Sequence, residues 1–215
     1  MQYNKNKPKE YNIPLYKFEE VYKKISNALE TKPVVIGGRA VNFLCYKDTR
    51  FTHDIDVVIN VDPTLHKTEL FDSGFSLKWN GPKVVGATYI DSVNLLNGGT
   101  PLTIDFYYSK PINGISINEI VSNVKEVNLG KMSVLVPSPA IMLLLKYDAG
   151  REKDIRDFRL LLENFYAGSI DGFFDEEHEL LDSLLNNHIN DGKKMNKLLI
   201  GYYYYKENQM KLRRN

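Results

Sequence analysis

PVVIGGRAVNFLCYKDTRFTHDIDVVIN, Pro33–Asn60, decides how this chain is read. Val34, Val35 and Ile36 form a short apolar strand. A glycine pair, Gly37-Gly38, ends it; a helical segment follows over Arg39–Tyr46, and a second strand opens on Asp54-Ile55-Asp56. Side chains alternate along a strand, so Asp54 and Asp56 share one face while Ile55 and Val57 take the other. Two carboxylates roughly 7 Å apart on one strand repel each other unless a cation sits between them, and a hard divalent ion is the simplest candidate. The glycine pair lets a ligand approach the backbone closely, and the helix behind it starts with unpaired N–H groups that suit phosphate oxygens. A phosphate cradle beside metal-holding carboxylates is equipment for handling a nucleoside triphosphate (NTP).

Composition bounds the rest. The chain has 215 residues, 43% hydrophobic and 26% charged, enough for one or two domains with a substantial core. A formal net charge of +1 argues against a protein built mainly as a nucleic-acid cation, though a local basic groove is compatible with it. The single cysteine, Cys45, excludes an intramolecular disulfide and suits a reducing compartment. No apolar run follows the polar start MQYNKNKPKEYN, so no secretory signal is expected. The longest apolar stretch, Ala140–Leu145, is too short to span a bilayer. The expectation is a cytoplasmic protein with no membrane partner.

Outward from the central stretch, Met1–Pro14 reads as an arm. Leu15–Glu30 reads as an amphipathic helix with Phe18, Val21, Tyr22, Ile25 and Leu29 on one face. Asp62 caps a helix opening at Pro63, with Leu65, Leu70 and Phe71 inward and Gly74 at its end. The lone Trp79 falls in a loop or hairpin, and Lys83–Asn94 in a strand or hairpin before the turn at Asn97–Pro101. Leu102–Tyr108 is strongly β-prone and carries one anomaly, Asp105, among apolar and aromatic neighbours. Asp is a poor strand former, and its charge is costly to bury without a partner. A short helix at Ile117–Val124 and a hairpin over Glu126–Val136 follow. Ser138-Pro139 then opens a helix, with further helical patterns at Glu152–Tyr166, Asp171–Asn187 and Asp191–Leu212. The chain is therefore expected to be α+β: a strand-bearing domain over residues 1–136, then an all-helical part over 137–215.

Alone, a D-x-D is as well explained by loop capping or by pairing with Arg39 or Arg50. With the glycine pair and the lone Asp105, the metal reading is stronger. Two Mg²⁺ ions about 3.5–4 Å apart need several oxygen ligands. In this scheme Asp54 and Asp56 bridge both ions, and Asp105 contacts the ion beside the acceptor, where it can take a hydroxyl proton.

The pattern GG-R-A, then R-x-T-x-D-I-D-V-V-I, then I-D-F at Ile104–Phe106 resembles the nucleotidyltransferases of the DNA polymerase β-like superfamily. SPAIMLLLKYDAGREKD, with Asp157 beyond it, is similar to the signature of the AbiEii-type toxins and related minimal nucleotidyltransferases. The resemblance spans roughly residues 33 to 162. It implies a mixed β-sheet flanked by helices and Mg²⁺-dependent transfer of a nucleoside monophosphate with release of pyrophosphate; Mn²⁺ can stand in for the metal. It maps metal ligands onto Asp54, Asp56 and Asp105, phosphate binding onto Gly37 and Gly38, and a triphosphate-contacting lysine onto Lys146. The polymerase branch has Gly-Ser where this chain has Gly-Gly-Arg, which puts Arg39 near the phosphates as a candidate nucleotide contact. It also implies an acceptor hydroxyl on RNA (a tRNA 3′ end, for instance), on protein or on a small molecule, and in the toxin branch an antitoxin partner.

Other features are read more plainly. Arg50 and Thr52 brace the acidic strand, and His53 points away from its carboxylate face. His66, His178 and His188 show no ligand spacing with one another or with Cys45. REKDIRD at Arg151–Asp157 has the i, i+3, i+4 charge spacing of a solvated helix face, while the resemblance assigns Asp154 or Asp157 to support Lys146. The tyrosines 202–205 suit helix packing or a subunit contact better than base stacking. Two rival readings stand beside the enzyme: a non-catalytic nucleotide-binding module on the same fold, and a glycosyltransferase that uses D-x-D to hold a nucleotide sugar.

Overall fold

A computed structural model describes residues 13–45, 52, 54–79, 84–89, 102–130, 132–166, 179 and 182–183. The amphipathic segment near the start is helix α1, Leu15–Ala28, burying Phe18, Val21, Tyr22 and Ile25 as the spacing predicts. The apolar Val34–Val35 pair is strand β1, and helix α2 follows at once over Gly37–Leu44. The acidic strand is β2, Asp54–Val58. After it a 3₁₀ turn, Pro63–His66, with Asp62 accepting from the Thr64 N–H, leads into α3, Lys67–Asp72. Strands β3 (Phe75–Trp79), β4 (Val84–Tyr89) and β5 (Leu102–Tyr107) come next, then α4 (Ile117–Ser122), β6 (Val124–Leu129) and β7 (Met132–Pro137). Helices α5 (Pro139–Ala149) and α6 (Glu152–Tyr166) complete the described elements.

The seven strands form one mixed sheet in the order β3-β4-β5-β2-β1-β7-β6. β1 pairs antiparallel with β2, Val35 opposite Val57, and parallel with β7, Val34 opposite Leu135. β2 and β5 run parallel, Asp56 opposite Asp105. The outer pairs β3–β4 and β6–β7 are antiparallel hairpins. This is the α+β architecture expected, a mixed sheet with helices around it.

The core is built from β2 and β5 residues on the side opposite the acids (Ile55, Val57, Ile104, Phe106) together with the inner residues of α1 and the apolar run of α5. Burial of these apolar groups is the main favourable term in folding. Residues Ala140 to Leu145 and Phe158, Leu161 and Leu162 join the same buried cluster as the strands. The expected boundary between residues 136 and 137 falls inside β7.

One helix face departs from expectation. Leu65 and Phe71, expected inward, are 79% and 72% exposed, and Leu70 alone of that trio is buried. The cause is the 3₁₀ turn, whose tighter winding rotates the face that a continuous α-helix from Pro63 would have presented. Trp79 lies in a hairpin strand, opposite Val85. Of the helices expected beyond residue 170, only 179, 182 and 183 are described, all helical, so those expectations, the tyrosines 202–205, His178 and His188 lie outside the described residues, as do Arg50 and His53. Among the described residues no helix is long and apolar enough to cross a membrane.

Candidate active site

The glycine pair meets the acidic strand directly. The Ile36 N–H donates to the Asp56 carbonyl at 2.9 Å, which locks the end of β1 beside the second acid of the D-x-D. Gly37 then turns into α2 with φ of +71°, a conformation that an L side chain rarely adopts. A Cβ on Gly37 would lie 2.2 Å from Asp56 Oδ2 and 3.1 Å from its Cγ. Both the backbone and the neighbouring carboxylate therefore demand glycine. Helix α2 starts from Ile36 in extended conformation with no side-chain cap from that residue, and the first-turn N–H groups of a helix have no partner within the helix.

Parallel pairing of β2 with β5 puts residues in register on the same face. Asp56 stands beside Asp105, and Asp54 beside Thr103. On the far side of Asp105 the partner in β4 is Gly86, which adds no side chain there. Asp54 is exposed, and Asp56 and Asp105 are half-buried. Burial, followed by the charges of Asp54 and Asp105, pushes the Asp56 carboxyl up to about 6, against the opposing pull of Lys146 and Lys153. Tyr107, two residues beyond Asp105, donates its hydroxyl to Asp56 Oδ1 at 3.5 Å, the outer limit of a hydrogen bond. Burial and the charges of Asp56, Asp105 and Asp54 hold the Tyr107 phenol well above its ordinary range.

The three predicted carboxylates thus share one face and feel one another's charge. As the side chains stand, no three His, Cys, Asp or Glu groups among the described residues form a ready metal-binding cluster. The donor set is nonetheless the kind that a hard cation requires: carboxylate oxygens, one with its charge disfavoured by its neighbours, beside a glycine that keeps the approach open. Asp54, Asp56 and Asp105 are the residues that could hold Mg²⁺ or Mn²⁺.

Arg39 follows the glycine pair in the first turn of α2. It is buried, its Nη2 donates to the Ile13 carbonyl at 2.7 Å, and its guanidinium lies 5.6 Å and 6.0 Å from the ring centroids of Phe18 and Phe43. These contacts pin α1 and Ile13, two residues ahead of it, to the start of α2, a structural use of the cation. Thr52 is buried, and its hydroxyl finds no hydrogen-bond partner among the described residues.

Lys146 projects from α5 into a buried ionic cluster. Its Nζ lies 3.3 Å from Asp154 Oδ1 and 2.8 Å from Asp157 Oδ2. Both acids support the lysine, so REKDIRD is only half the solvated face that its spacing suggests: Asp154 and Asp157 turn inward while Arg151, Glu152, Lys153 and Arg156 stay exposed. Arg151 closes the cluster from outside, donating from Nε to Asp154 Oδ2 at 2.5 Å and from Nη2 to Oδ1 at 3.3 Å. Burial pushes the Asp154 carboxyl up, but the Arg151 hydrogen bond and the Lys146 charge outweigh it and hold the group below its usual range.

Sequence reasoning passed over Tyr107 and the outward face of Arg151. The first had a usable signal, its i+2 spacing from Asp105 on one strand face; the second had the i+3 spacing of Arg151 and Asp154.

Comparison with solved structures finds this fold repeatedly. The chain is similar to the lincosamide antibiotic adenylyltransferase LnuA bound to lincomycin (18% identity, TM-score 0.51, covering 70% of this chain and 98% of that one). It is similar to ANT(2″)-Ia in complex with adenylyl-2″-tobramycin (14% identity, TM-score 0.54, covering 80% and 96%). It is also similar to JHP933 from Helicobacter pylori (14% identity, TM-score 0.52, covering 93% and 94%). At these identities the likeness shows the fold. No curated protein matches the chain. A family model matches residues 15–197, and the chain belongs to that family, described as nucleotidyl transferase of unknown function (DUF2204).

Proposed function

We propose that this chain transfers a nucleoside monophosphate from an NTP to an acceptor hydroxyl in a divalent-metal-dependent reaction. Family membership gives nucleotidyl transfer as the activity class. One observation carries the site assignment: Asp56 and Asp105 stand in register on adjacent parallel strands, with Gly37 turning against the Asp56 carboxylate. A divalent ion held by Asp54, Asp56 and Asp105 would neutralise the triphosphate and polarise its α-phosphorus. The Gly37-Gly38 bend and the first turn of α2 bind phosphate oxygens. Asp105 takes the proton from the acceptor hydroxyl at a carboxylate oxygen. The acceptor oxygen forms its bond to the α-phosphorus, the bond from that phosphorus to the bridging oxygen breaks, and pyrophosphate departs with the electron pair. Lys146 contributes positive charge toward this site from within its buried cluster.

The acceptor is a hydroxyl on a small molecule, on RNA or on protein. Two fold neighbours are named with antibiotics, lincomycin and an adenylylated tobramycin, so a hydroxyl-rich small molecule is the first acceptor to try. The resemblance to AbiEii-type toxins makes a tRNA 3′ end the second, with an antitoxin partner attached to that branch. Incubation with each α-labelled NTP, Mg²⁺ and panels of aminoglycosides, lincosamides, total tRNA and cell protein tests the reading. Label moving onto one panel with stoichiometric pyrophosphate identifies the acceptor class. NTP binding with no transfer to any panel would turn the assignment toward the non-catalytic module, and nucleoside diphosphate release from a nucleotide sugar toward the glycosyltransferase. Asp105→Ala is expected to cut transfer by about a thousandfold or more while triphosphate binding is largely retained. Equal turnover in that variant would remove Asp105 from the chemistry.

A further inference from the structure

A triphosphate brings several negative charges, and its departing pyrophosphate keeps most of them, so the site needs cationic side chains that can reach phosphate oxygens. Among the described residues, Arg39, Lys146 and Arg151 are cations on or beside the helices that adjoin the carboxylates. Arg39 is buried against Phe18 and Phe43 and donates to the Ile13 carbonyl, so turning it to a phosphate would abandon a buried contact. Lys146 is buried between two carboxylates, Asp154 and Asp157, and faces the same obstacle. Arg151 differs: its side chain is 63% exposed, whereas the carboxylate that holds it, Asp154, is 1% exposed.

We propose that Arg151 grips the β- and γ-phosphates of the bound triphosphate, its guanidinium aimed by the buried Asp154. The assignment rests on the nucleotidyl-transfer reading above. Asp154 engages only the Nε edge and Nη2. A guanidinium has five N–H donors in a fixed plane, so the outer edge keeps donors for an anion. The Asp154 carboxylate is itself fixed by Lys146, and Asp154 also donates its backbone N–H to the Arg151 carbonyl at 2.8 Å, so the cation is held at both its head and its root. Holding an arginine in place before ligand arrives lowers the ordering cost of binding. Helix α6, which starts one residue after Arg151, packs against α2, the helix that opens at the Gly37-Gly38 bend, and the negative charge of Asp56 acts on the guanidinium as well. Lys153, on the same first turn of α6, reaches Asp56 as well and adds a second exposed cation.

Calorimetric titration of the full-length chain with α,β-methylene-ATP, inorganic tripolyphosphate and AMP tests the assignment. Wild type is expected to bind the first two, and Arg151→Ala to weaken both by about tenfold to a hundredfold, the range of a hydrogen bond to a charged group. AMP affinity should stay unchanged, which a general collapse of the site would not allow. Arg151→Lys should recover part of the loss, since it restores the charge but not the fork. Arg151→Gln keeps a donor for Asp154 but removes one charge of its cluster, so it should lower the unfolding midpoint and, assayed well below that midpoint, lose tripolyphosphate affinity while AMP affinity stays unchanged. If the alanine and glutamine variants bind tripolyphosphate as wild type does, the assignment is overturned. If they do so while a Lys146 or Arg39 variant loses affinity, the phosphate grip lies there and the nucleotidyl-transfer reading survives. Wild type that binds neither triphosphate nor tripolyphosphate sinks that reading, and this assignment with it.

Discussion

A methyl group at position 37 would meet Asp56 Oδ2 at 2.2 Å, closer than real Cβ contacts come, in a backbone conformation with φ of +71°. Gly37→Ala therefore has two costs: strain in the left-handed region, of about 1–3 kcal/mol, and displacement of the carboxylate beside it. The expected outcome is a lower denaturant midpoint together with loss of transfer. The clash half of the penalty should shrink in an Asp56→Ala background, where Oδ2 and Cγ are gone, while the strain half remains. A double-mutant cycle on unfolding free energy should accordingly show a coupling of about 1 kcal/mol, and none would mean that Gly37 is needed for its backbone alone. At this scale much was legible. Glycine before a helix and alternating acids on a strand announce themselves through φ and period-two geometry. Arg39 was not legible, because the aromatic ring and carbonyl that capture it come from Phe18 and Ile13, over twenty residues earlier.

Two phenols tie helix α1 to the sheet: Tyr89 of β4, hydrogen-bonded to Glu20 and Lys24, and Tyr22 of the helix itself. Tyr22 donates its hydroxyl to the Pro33 carbonyl at 2.8 Å, next to β1, and accepts from the Leu135 N–H of β7 at 3.3 Å. Burial pushes this phenol up to about 12. An acid raised in the fold contributes stability that is complete below its unfolded value, about 10, and is lost as pH climbs through its folded value. Tyr22→Phe should lower stability at pH 8 by about 1–2 kcal/mol, since it leaves the Pro33 carbonyl without its donor. The gap between wild type and variant should then narrow between pH 10 and 12. Urea midpoints across that range check it, and a gap independent of pH would mean that the hydroxyl is not held neutral by the fold. Element boundaries were legible wherever a cap marks them: Ser138 accepts from the Ile141 N–H at the start of α5, and Gly150 ends that helix with φ of 61°. Element faces were less so. Leu65 and Phe71 lie outside the core although their spacing predicts them inward, because a 3₁₀ turn and an α-helix share the same start signals and differ only in winding.

At the scale of the whole molecule, sequence patterns do not give strand order. β1 and β7, about a hundred residues apart, are neighbours, and β5 slots beside β2 rather than beside the strands that follow it. Long-range pairing of this kind is fixed by joint burial of several faces, which no local window contains. The ionic cluster between α5 and α6 is a product of that packing. Lys146, Asp154 and Asp157 are nearly excluded from water, and with exposed Arg151 the four charges sum to zero. Removing one member leaves a buried charge unopposed, which costs about 3–5 kcal/mol, whereas replacing a whole buried pair with neutral groups of similar shape can cost little. Lys146→Met should therefore destabilise the fold strongly, because two buried carboxylates then face Arg151 alone. Adding Asp157→Asn should restore much of the loss by removing the acid that Lys146 approaches most closely, at 2.8 Å. Thermal and urea unfolding of the two variants measure this directly. The comparison also separates two roles for the lysine. If the double variant regains stability but still binds tripolyphosphate poorly, Lys146 supplies charge to the phosphates as well as to the core. If affinity returns with stability, its work is to hold α5 to α6 and to fix the carboxylate that aims Arg151.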